Sequence, residues 1–256
     1  MSENAAYDIV QAARSQSKID SYTLINGVFS DFHELHGDRL HGDDSALIGG
    51  VGRLNGRPVT ILATNKGRDM AEGQATHFGG VSPDGYRKAI RLMKQSTKFN
   101  RPIVALINTP GAYPGVEAEY GGQGEAIARS IQTGLGQPVP YLSLIFGEAG
   151  SGGALALATG DEVWMLEKST YSVVSPEGYA SILWRDGKLA DQAAAKMKLT
   201  PSELLAAGFV DRVLPEVTTP ETLSALTTQL DLKITALAKL PVAELMAARR
   251  QRYRQF

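Results

Sequence analysis

The 256-residue sequence contains no cysteine. Disulfides, a thiolate nucleophile and a cysteine-ligated zinc site are therefore excluded, and we expect no metal site in this chain. The sequence also lacks any apolar run near the roughly 18 residues that span a bilayer. Its first residues, MSENAAYD, have neither the basic nor the apolar region of a signal peptide. We therefore expect a cytoplasmic protein that makes no use of a membrane.

An excess of one charge sign is also missing, since 26 Lys and Arg residues face 27 Asp and Glu residues. Bulk electrostatics therefore give no reason to expect nucleic acid as a partner, and any anionic ligand must be held locally. Two basic stretches are predicted to be solvated: a helix face, which an acidic partner or a nucleic acid could use instead, and a helix end. They are the stripe Arg87, Arg91, Lys94 and Lys98, and the C-terminal residues 249–254.

The first part of the chain predicts a helix followed by a β-hairpin. Apolar residues recur at three- and four-residue steps over residues 21–35, which predicts one amphipathic helix. Two β-rich runs, 46–54 and 58–64, flank Asn55-Gly56, a pair that suits the positive φ angles of a tight hairpin turn. Beyond them, Ser82 followed by proline and aspartate predicts the start of a helix that continues to about Thr97.

The middle of the chain repeats one pattern, in which an apolar strand enters a glycine-containing turn and then a helix. Strand 103–107 leads to residues 109–115, here called the first glycine turn, and to a helix over 122–131. Strand 139–146 leads to residues 147–154, the second glycine turn, and to a short helix ending near Thr159. Strands at 162–166 and 171–174 and a helical tail from Thr219 follow. This order predicts an α/β fold with right-handed crossovers and a mostly parallel sheet.

The second glycine turn is the most informative stretch of the sequence. Four glycines at a strand-to-helix junction let the backbone approach a ligand closely and leave the first amides of the helix free to meet negative charge. For a reaction that builds an oxyanion, one such donor contributes roughly 2.7 to 4 kcal/mol in known cases. Close packing of helix on sheet selects glycine equally well. The residues alone leave both interpretations open.

Other chemistries of this turn are disfavoured by residue type. A phosphate-binding P-loop needs Lys and Ser/Thr after its glycines, whereas Gly152 and Gly153 are followed by Ala154 and Leu155. The spacing of a dinucleotide fingerprint is absent. Ser151 lacks the first glycine of a hydrolase nucleophile elbow, and it would also need a base. All four histidines precede it: His33, His36, His41 and His77. We expect the first three of them on the surface.

Two further segments are candidates for ligand contacts. Prolines and glycines make the first glycine turn rigid and leave backbone groups accessible at Gly111 and Ala112. The polar segment 65–80 contains Lys66 and Arg68, which could meet a phosphate or a carboxylate. An ordinary stiff loop and two solvated cations are the alternatives.

Four stretches of the chain closely resemble one enzyme family. They are PDGYRKAIRLM at 83–93, NTPGAYPG at 108–115, GEAGSGGAL at 147–155 and YSVVSPEGYASILW at 171–184. The family is the carboxyltransferase α subunits of bacterial acetyl-CoA carboxylase, in the crotonase-like superfamily. The resemblance runs from about Tyr22 to Pro215. It implies a β-β-α spiral with N- and C-terminal helices, as one domain over 1–256 with its core at about 22–215 and a helical tail at 216–256.

The resemblance also implies a reaction. Carboxybiotin on the biotin carboxyl carrier protein gives its carboxyl group to acetyl-CoA, which yields malonyl-CoA for fatty acid synthesis. A partner β subunit would bring a zinc ribbon and most of the CoA site, in an α2β2 assembly, and biotin carboxylase would complete the complex. Catalytic amides are implied at Gly152, Gly153 and Ala154. Substrate-binding positions are expected at Lys66, Arg68, Gly111, Ala112, Tyr113, Gly150 and Ser151.

The alternative enzyme is a standalone crotonase-type acyl-CoA hydratase or isomerase, which would need its own acid/base carboxylates. Glu148 is the one acid inside the second glycine turn. The sequence also departs from the family pattern. Thr64-Asn65 stands where His-Gln is usual, Asn108 replaces an aspartate, and residues 117–122 lack the usual arginine.

Overall fold

The structure is a computed structural model that describes residues 3–255. Met1 and Ser2, which begin the predicted 1–256 domain and the stretch tested for a signal peptide, lie outside the described residues, as does Phe256. Within the described range, no helix combines the length and the apolar character needed to cross a bilayer.

Among residues 3–255, eight strands form one sheet. They are β1 (Ser30–Glu34), β2 (Leu47–Leu54), β3 (Arg57–Thr64), β4 (Ile103–Thr109), β5 (Tyr141–Gly150), β6 (Glu162–Leu166), β7 (Thr170–Ser172) and β8 (Arg212–Leu214). Their order is β1-β2-β3-β4-β5-β6-β8, and β7 pairs with the end of β5. The first three strands are antiparallel and all later pairs are parallel. The predicted mostly parallel α/β sheet is confirmed.

Twelve α-helices accompany the sheet in the described part of the chain. They are α1 (Glu3–Arg14), α2 (Ser21–Val28), α3 (Met70–Ala75), α4 (Pro83–Phe99), α5 (Val116–Tyr120), α6 (Gln123–Leu135), α7 (Ser151–Leu155), α8 (Pro176–Trp184), α9 (Ala190–Met197), α10 (Pro201–Ala206), α11 (Pro220–Leu237) and α12 (Val242–Tyr253). The helices predicted after Ser82, Gly122 and Thr219 correspond to α4, α6 and α11.

The sheet is covered on both faces. Successive residues of β4 alternate between two cores, as the two-residue period of a strand requires. Ala105 and Ile107 pack in the core that includes residues of α4 and α6, whereas Val104 and Leu106 pack in the core that includes residues of α2 and α11. Every residue of β4 is buried. Burial of both faces leaves the edges where strands end as the place for a ligand.

The hairpin prediction is confirmed. Strands β2 and β3 pair in antiparallel register around Asn55 and Gly56. Their φ angles are 46° and 82°, the left-handed values that a tight two-residue hairpin turn requires.

The predicted helix over 21–35 is wrong beyond Val28. Phe29 is already extended, and β1 then pairs with β2 as an edge strand. The ring of Phe32 packs against β2, where a methyl group on Gly50 would lie 2.6 Å from the ring carbon Cε2. The apolar spacing that resembled a helix face therefore continues in a strand. Helix α1 was not predicted from the sequence.

The C-terminal arginines are also not all solvated. The side chain of Arg249 is fully buried and donates hydrogen bonds to both carboxylate oxygens of Asp161, at 2.8 and 2.7 Å. It further donates to the carbonyl of Val139, at 2.9 Å. Arg252 pairs with Asp211 at 2.7 Å. The prediction of a solvated helix end is wrong for these two arginines, because they fasten α12 to residues that directly precede β5, β6 and β8.

The basic stripe on α4 is only partly solvated. Lys94 and Lys98 are exposed, as predicted. Arg87 and Arg91 instead donate hydrogen bonds to backbone carbonyls of neighbouring loops, those of Gly121 and Gly37. Two of the four residues, Arg87 and Arg91, therefore hold neighbouring loops in place and are not free on the surface.

Candidate functional site

The two glycine turns meet at one edge of the sheet. Strands β4 and β5 are parallel neighbours, with Thr109 opposite Ala149. Strand β5 continues to Gly150, so the first half of the second glycine turn is the end of this strand and lies beside the first glycine turn. The contact is backbone against backbone. A methyl group on Gly150 would collide with the carbonyl of Pro110, and one on Gly153 would lie 2.6 Å from the carbonyl carbon of Gly111. Close packing therefore requires glycine at both positions.

Gly152 is different from these two glycines. It is half-buried, and a methyl group there would meet only Cγ2 of Ile127, at the ordinary contact distance of 3.4 Å. Helix α7 has Gly150 as its N-cap, and no side chain caps it. The first amides of a helix lack acceptors inside the helix, so those of residues 151–153 are available at this end. Ser151 is exposed and Ala154 is buried.

The first glycine turn contributes a free donor at Ala112, beside the second turn. Gly111 has a φ of 145°, which favours glycine, and its amide donates to the hydroxyl of Thr109 at 3.1 Å. The amide of Tyr113 donates to the carbonyl of Val81 at 3.0 Å. Between them, the amide of Ala112 has no hydrogen bond within residues 3–255. It lies next to Gly153, so donors from both turns are close together.

Tyr113 is fixed by its neighbours. Its ring stacks on His77 with centroids 3.8 Å apart, and its hydroxyl donates to Glu117 at 2.6 Å. Glu117 opens the segment that departs from the family pattern. The fourth histidine thus lies beside the first glycine turn. The expectation of surface positions is confirmed for the other three, His33, His36 and His41.

A cavity of about 670 Å³ borders the first glycine turn, a size typical of ligand pockets. It lies between the end of α1 and the loop after β3. Its lining includes the predicted binding residues Lys66 and Arg68, together with Asn108, Pro110 and Glu148. The structure therefore brings the two predicted cations to one cavity at the same edge of the sheet.

Glu148 faces this cavity as a paired carboxylate. Arg14 donates to one carboxylate oxygen at 2.6 Å, and Lys66 forms an ion pair with the other. Burial by itself would raise the pKa of Glu148, but Lys66 and Arg14 together outweigh burial and hold that pKa below its usual range. A general acid at neutral pH needs a raised pKa instead. Glu148, the acid inside the second glycine turn, is thus unsuited to the general-acid role that the hydratase alternative requires.

The predicted cations are neutralised as well. Lys66 pairs with Glu148, and Arg68 forms an exposed ion pair with Glu72. The spacing of four residues between Arg68 and Glu72 was a visible signal for that pair. Arg14 was missed, because 134 residues separate it from Glu148 and no local pattern relates the two positions.

Solved carboxylase structures share this architecture. The chain is similar to transcarboxylase 12S, with a TM-score of 0.71 and 24% identity over 91% of this chain and 44% of that one. It is also similar to the β subunit of Pseudomonas aeruginosa geranyl-CoA carboxylase, with a TM-score of 0.68 and 19% identity over 88% and 43%. This chain thus spans less than half of each of those chains. The fold is that of the crotonase-like carboxyltransferases, as expected.

Sequence comparison is more specific. The profile of the family described as acetyl co-enzyme A carboxylase carboxyltransferase-like matches residues 2–256. The chain is 50% identical over 250 residues to a Streptococcus sanguinis protein named acetyl-coenzyme A carboxylase carboxyl transferase subunit alpha, covering 97% of this chain and 98% of that protein. Identity to the protein of the same name from Streptococcus thermophilus is 49% with the same coverage. This chain therefore belongs to the acetyl co-enzyme A carboxylase carboxyltransferase-like family, which confirms the resemblance.

Proposed function

We propose that this chain is the α subunit of an acetyl-CoA carboxylase carboxyltransferase. Together with a β subunit, it transfers the carboxyl group from carboxybiotin on the biotin carboxyl carrier protein to acetyl-CoA, giving malonyl-CoA. The observation that carries the proposal is the contact of the two glycine turns, which gathers free amides at one edge of the sheet. Biotin carboxylase completes the complex, which is located in the cytoplasm.

Backbone amides suit this reaction because it places negative charge on oxygen atoms and takes its base from the substrate. The amides of Gly152 and Gly153 hold the ureido oxygen of biotin, Ala154 completes their turn, and the free amide of Ala112 adds a donor. Gly111, Tyr113, Gly150 and Ser151 shape the walls. Lys66 and Arg68 contact the substrate from the adjoining cavity.

The β subunit docks against exposed apolar side chains that flank the glycine turns. Exposed apolar groups that lie close together mark interaction surfaces. Val116 and Tyr120 belong to α5, directly after the first glycine turn. Val173, Ile182 and Leu183 follow β7, which pairs with the last residues of β5. The β subunit supplies the zinc ribbon and most of the CoA site, and the pair assembles as α2β2.

The test is malonyl-CoA-dependent carboxylation of free biotin. It is measured with the chain alone, with a candidate β subunit alone and with the mixture. We expect activity only in the mixture. Turnover of a CoA ester by the chain alone would favour the hydratase or isomerase instead. A mixture that forms a complex but transfers no carboxyl group would contradict the proposal.

Two alanine variants test the geometry of the amides. Both keep every amide, but only Gly153→Ala pushes the two glycine turns apart, because its methyl group meets the backbone of the first turn. Displacement of about 1 Å costs on the order of a hundredfold in rate. We expect Gly153→Ala to lose about that much transfer activity, and Gly152→Ala to retain most of it. Equal activities in the two variants would contradict the assignment.

A further inference from the structure

Arg14, the last residue of α1, joins two acids from distant parts of the chain. Its Nε donates to Glu148 at 2.6 Å, while Nη1 and Nη2 donate to the two carboxylate oxygens of Glu177 at 2.7 and 3.2 Å. The planar fork of a guanidinium suits such bridging, whereas a lysine ammonium is a single point charge. One side chain thus fixes two carboxylates.

One of these acids lies inside the second glycine turn and the other lies on the helix that follows the strand beside it. Glu148 lies two residues before Gly150, and its amide donates to Oδ1 of Asn108 at 3.0 Å. Strand β7 pairs with residues 148–150 of β5 and leads into α8, whose first turn contains Glu177. Arg14 therefore ties the end of β5 to the segment beside it.

Buried contacts hold helix α1, which ends at Arg14, in place. Helix α1 packs through Ala6 and Val10 against Ala194 and Leu199 in a small core of its own. The position of Arg14 is therefore set by buried contacts. Helix α1, which was not predicted from the sequence, thus reaches the candidate site through Arg14.

The charges of this cluster balance. Arg14 and Lys66 face Glu148 and Glu177, so no positive charge is left over for an anionic ligand. Glu148 is held at both carboxylate oxygens and at its amide, which leaves the strand end little freedom. For Arg14, this arrangement suits a brace for the backbone better than a contact with substrate.

We propose that Arg14 is a positioning residue for carboxyl transfer, which holds β5 and α8 so that the second glycine turn keeps its amides in place. The inference rests on the proposed function. Removing the brace lets the turn move, and misplaced amides lower the rate of the chemical step. Binding of the CoA substrate, assigned mainly to the β subunit, stays unchanged.

The experiment compares Arg14→Gln, Arg14→Lys and the control Arg129→Gln in the complex with the β subunit. Arg129 forms an exposed ion pair with Glu125 on α6. For each variant, kcat, the KM for malonyl-CoA and the melting temperature are measured. We expect kcat of Arg14→Gln to fall about ten- to a hundredfold at constant KM. Arg14→Lys should recover part of the loss, and Arg129→Gln should match the wild type.

The outcomes separate a failure of the proposed function from a failure of the positioning role of Arg14. An inactive wild-type complex overturns the proposed function, and this inference with it. An active wild type with unchanged kcat in Arg14→Gln overturns the role of Arg14 alone. The same holds if the fraction of unfolded Arg14→Gln protein at the assay temperature accounts for its whole loss. Recovery of activity in Arg14→Ala on adding millimolar guanidinium supports the brace, and no recovery counts against it.

Discussion

The hydroxyl of Tyr86 is a buried polar group beside the glycine turns. The residue is fully buried, and its hydroxyl has no hydrogen-bond partner within residues 3–255. It would lie 2.9 Å from a methyl group on Gly153. An unpartnered buried polar group costs about 1–3 kcal/mol. We therefore expect Tyr86→Phe to leave the free energy of unfolding unchanged or to raise it by about 1 kcal/mol, as measured by urea unfolding.

Tyr141 provides the matched control. It is equally buried, but its hydroxyl donates to the carbonyl of Leu157 at 2.6 Å. Because Tyr141→Phe removes a made hydrogen bond, it should lower the free energy of unfolding by about 1 kcal/mol. The free energies of unfolding of the two variants should therefore differ by at least about 1 kcal/mol. If Tyr86→Phe destabilised the protein as much as Tyr141→Phe does, the hydroxyl would have a partner after all.

Single residues of the site were predictable where residue type restricts the backbone. Gly150, Gly153 and Gly111 stood out because close approach or a positive φ angle excludes other residues. The sequence could not decide between packing and ligand binding, since both select glycine. It also could not show that Lys66 is neutralised by Glu148, because an ion pair across 82 residues depends on the finished fold.

At the scale of elements, strong periodic segments were predicted well and the edges of the fold were not. Strand β6 has the predicted bounds, because its run of five residues is too short for a typical helix and has turn residues on both sides. Strand β1 was assigned to a helix because Phe29 and Phe32 fit a helical spacing, and only pairing with β2 decides the matter. The burial of Arg249 was not predicted, for a similar reason. A run of arginines looks solvated until its partner Asp161 is known.

Helix α12 depends on the Arg249 ion pair. Burial raises the pKa of Asp161 even though Arg249 lies beside it, so the carboxylate is poorly solvated without its partner. Removing one member of a buried pair typically costs 3–5 kcal/mol. We expect Arg249→Met to lower the free energy of unfolding by about that amount and to make α12 sensitive to limited proteolysis. Arg250→Met, at an exposed neighbouring position, should stay within about 0.5 kcal/mol of the wild type.

At the scale of the whole molecule, the fold directs function to one edge. Helices cover both faces of the sheet, so the glycine turns, the cavity and the exposed apolar residues near them all lie where strands end. The division into a core at 22–215 and a tail at 216–256 stays a prediction. The Arg249 contact shows that residues of this tail pack directly on those of the core.

The last prediction concerns the exposed apolar residues proposed to bind the β subunit, here called the docking face: Val116, Tyr120, Val173, Ile182 and Leu183. Ile182 on α8 is 72% exposed, so Ile182→Asp should leave the melting temperature of the free chain unchanged. An interface that buries this position would have to desolvate the new carboxylate, which is costly without a partner. We therefore expect Ile182→Asp to abolish co-migration with the β subunit in size-exclusion chromatography, and carboxyl transfer with it. Leu232→Asp is the control, since Leu232 is 63% exposed on α11, outside the docking face. It should assemble normally, and the opposite pattern would place the β subunit on α11 instead.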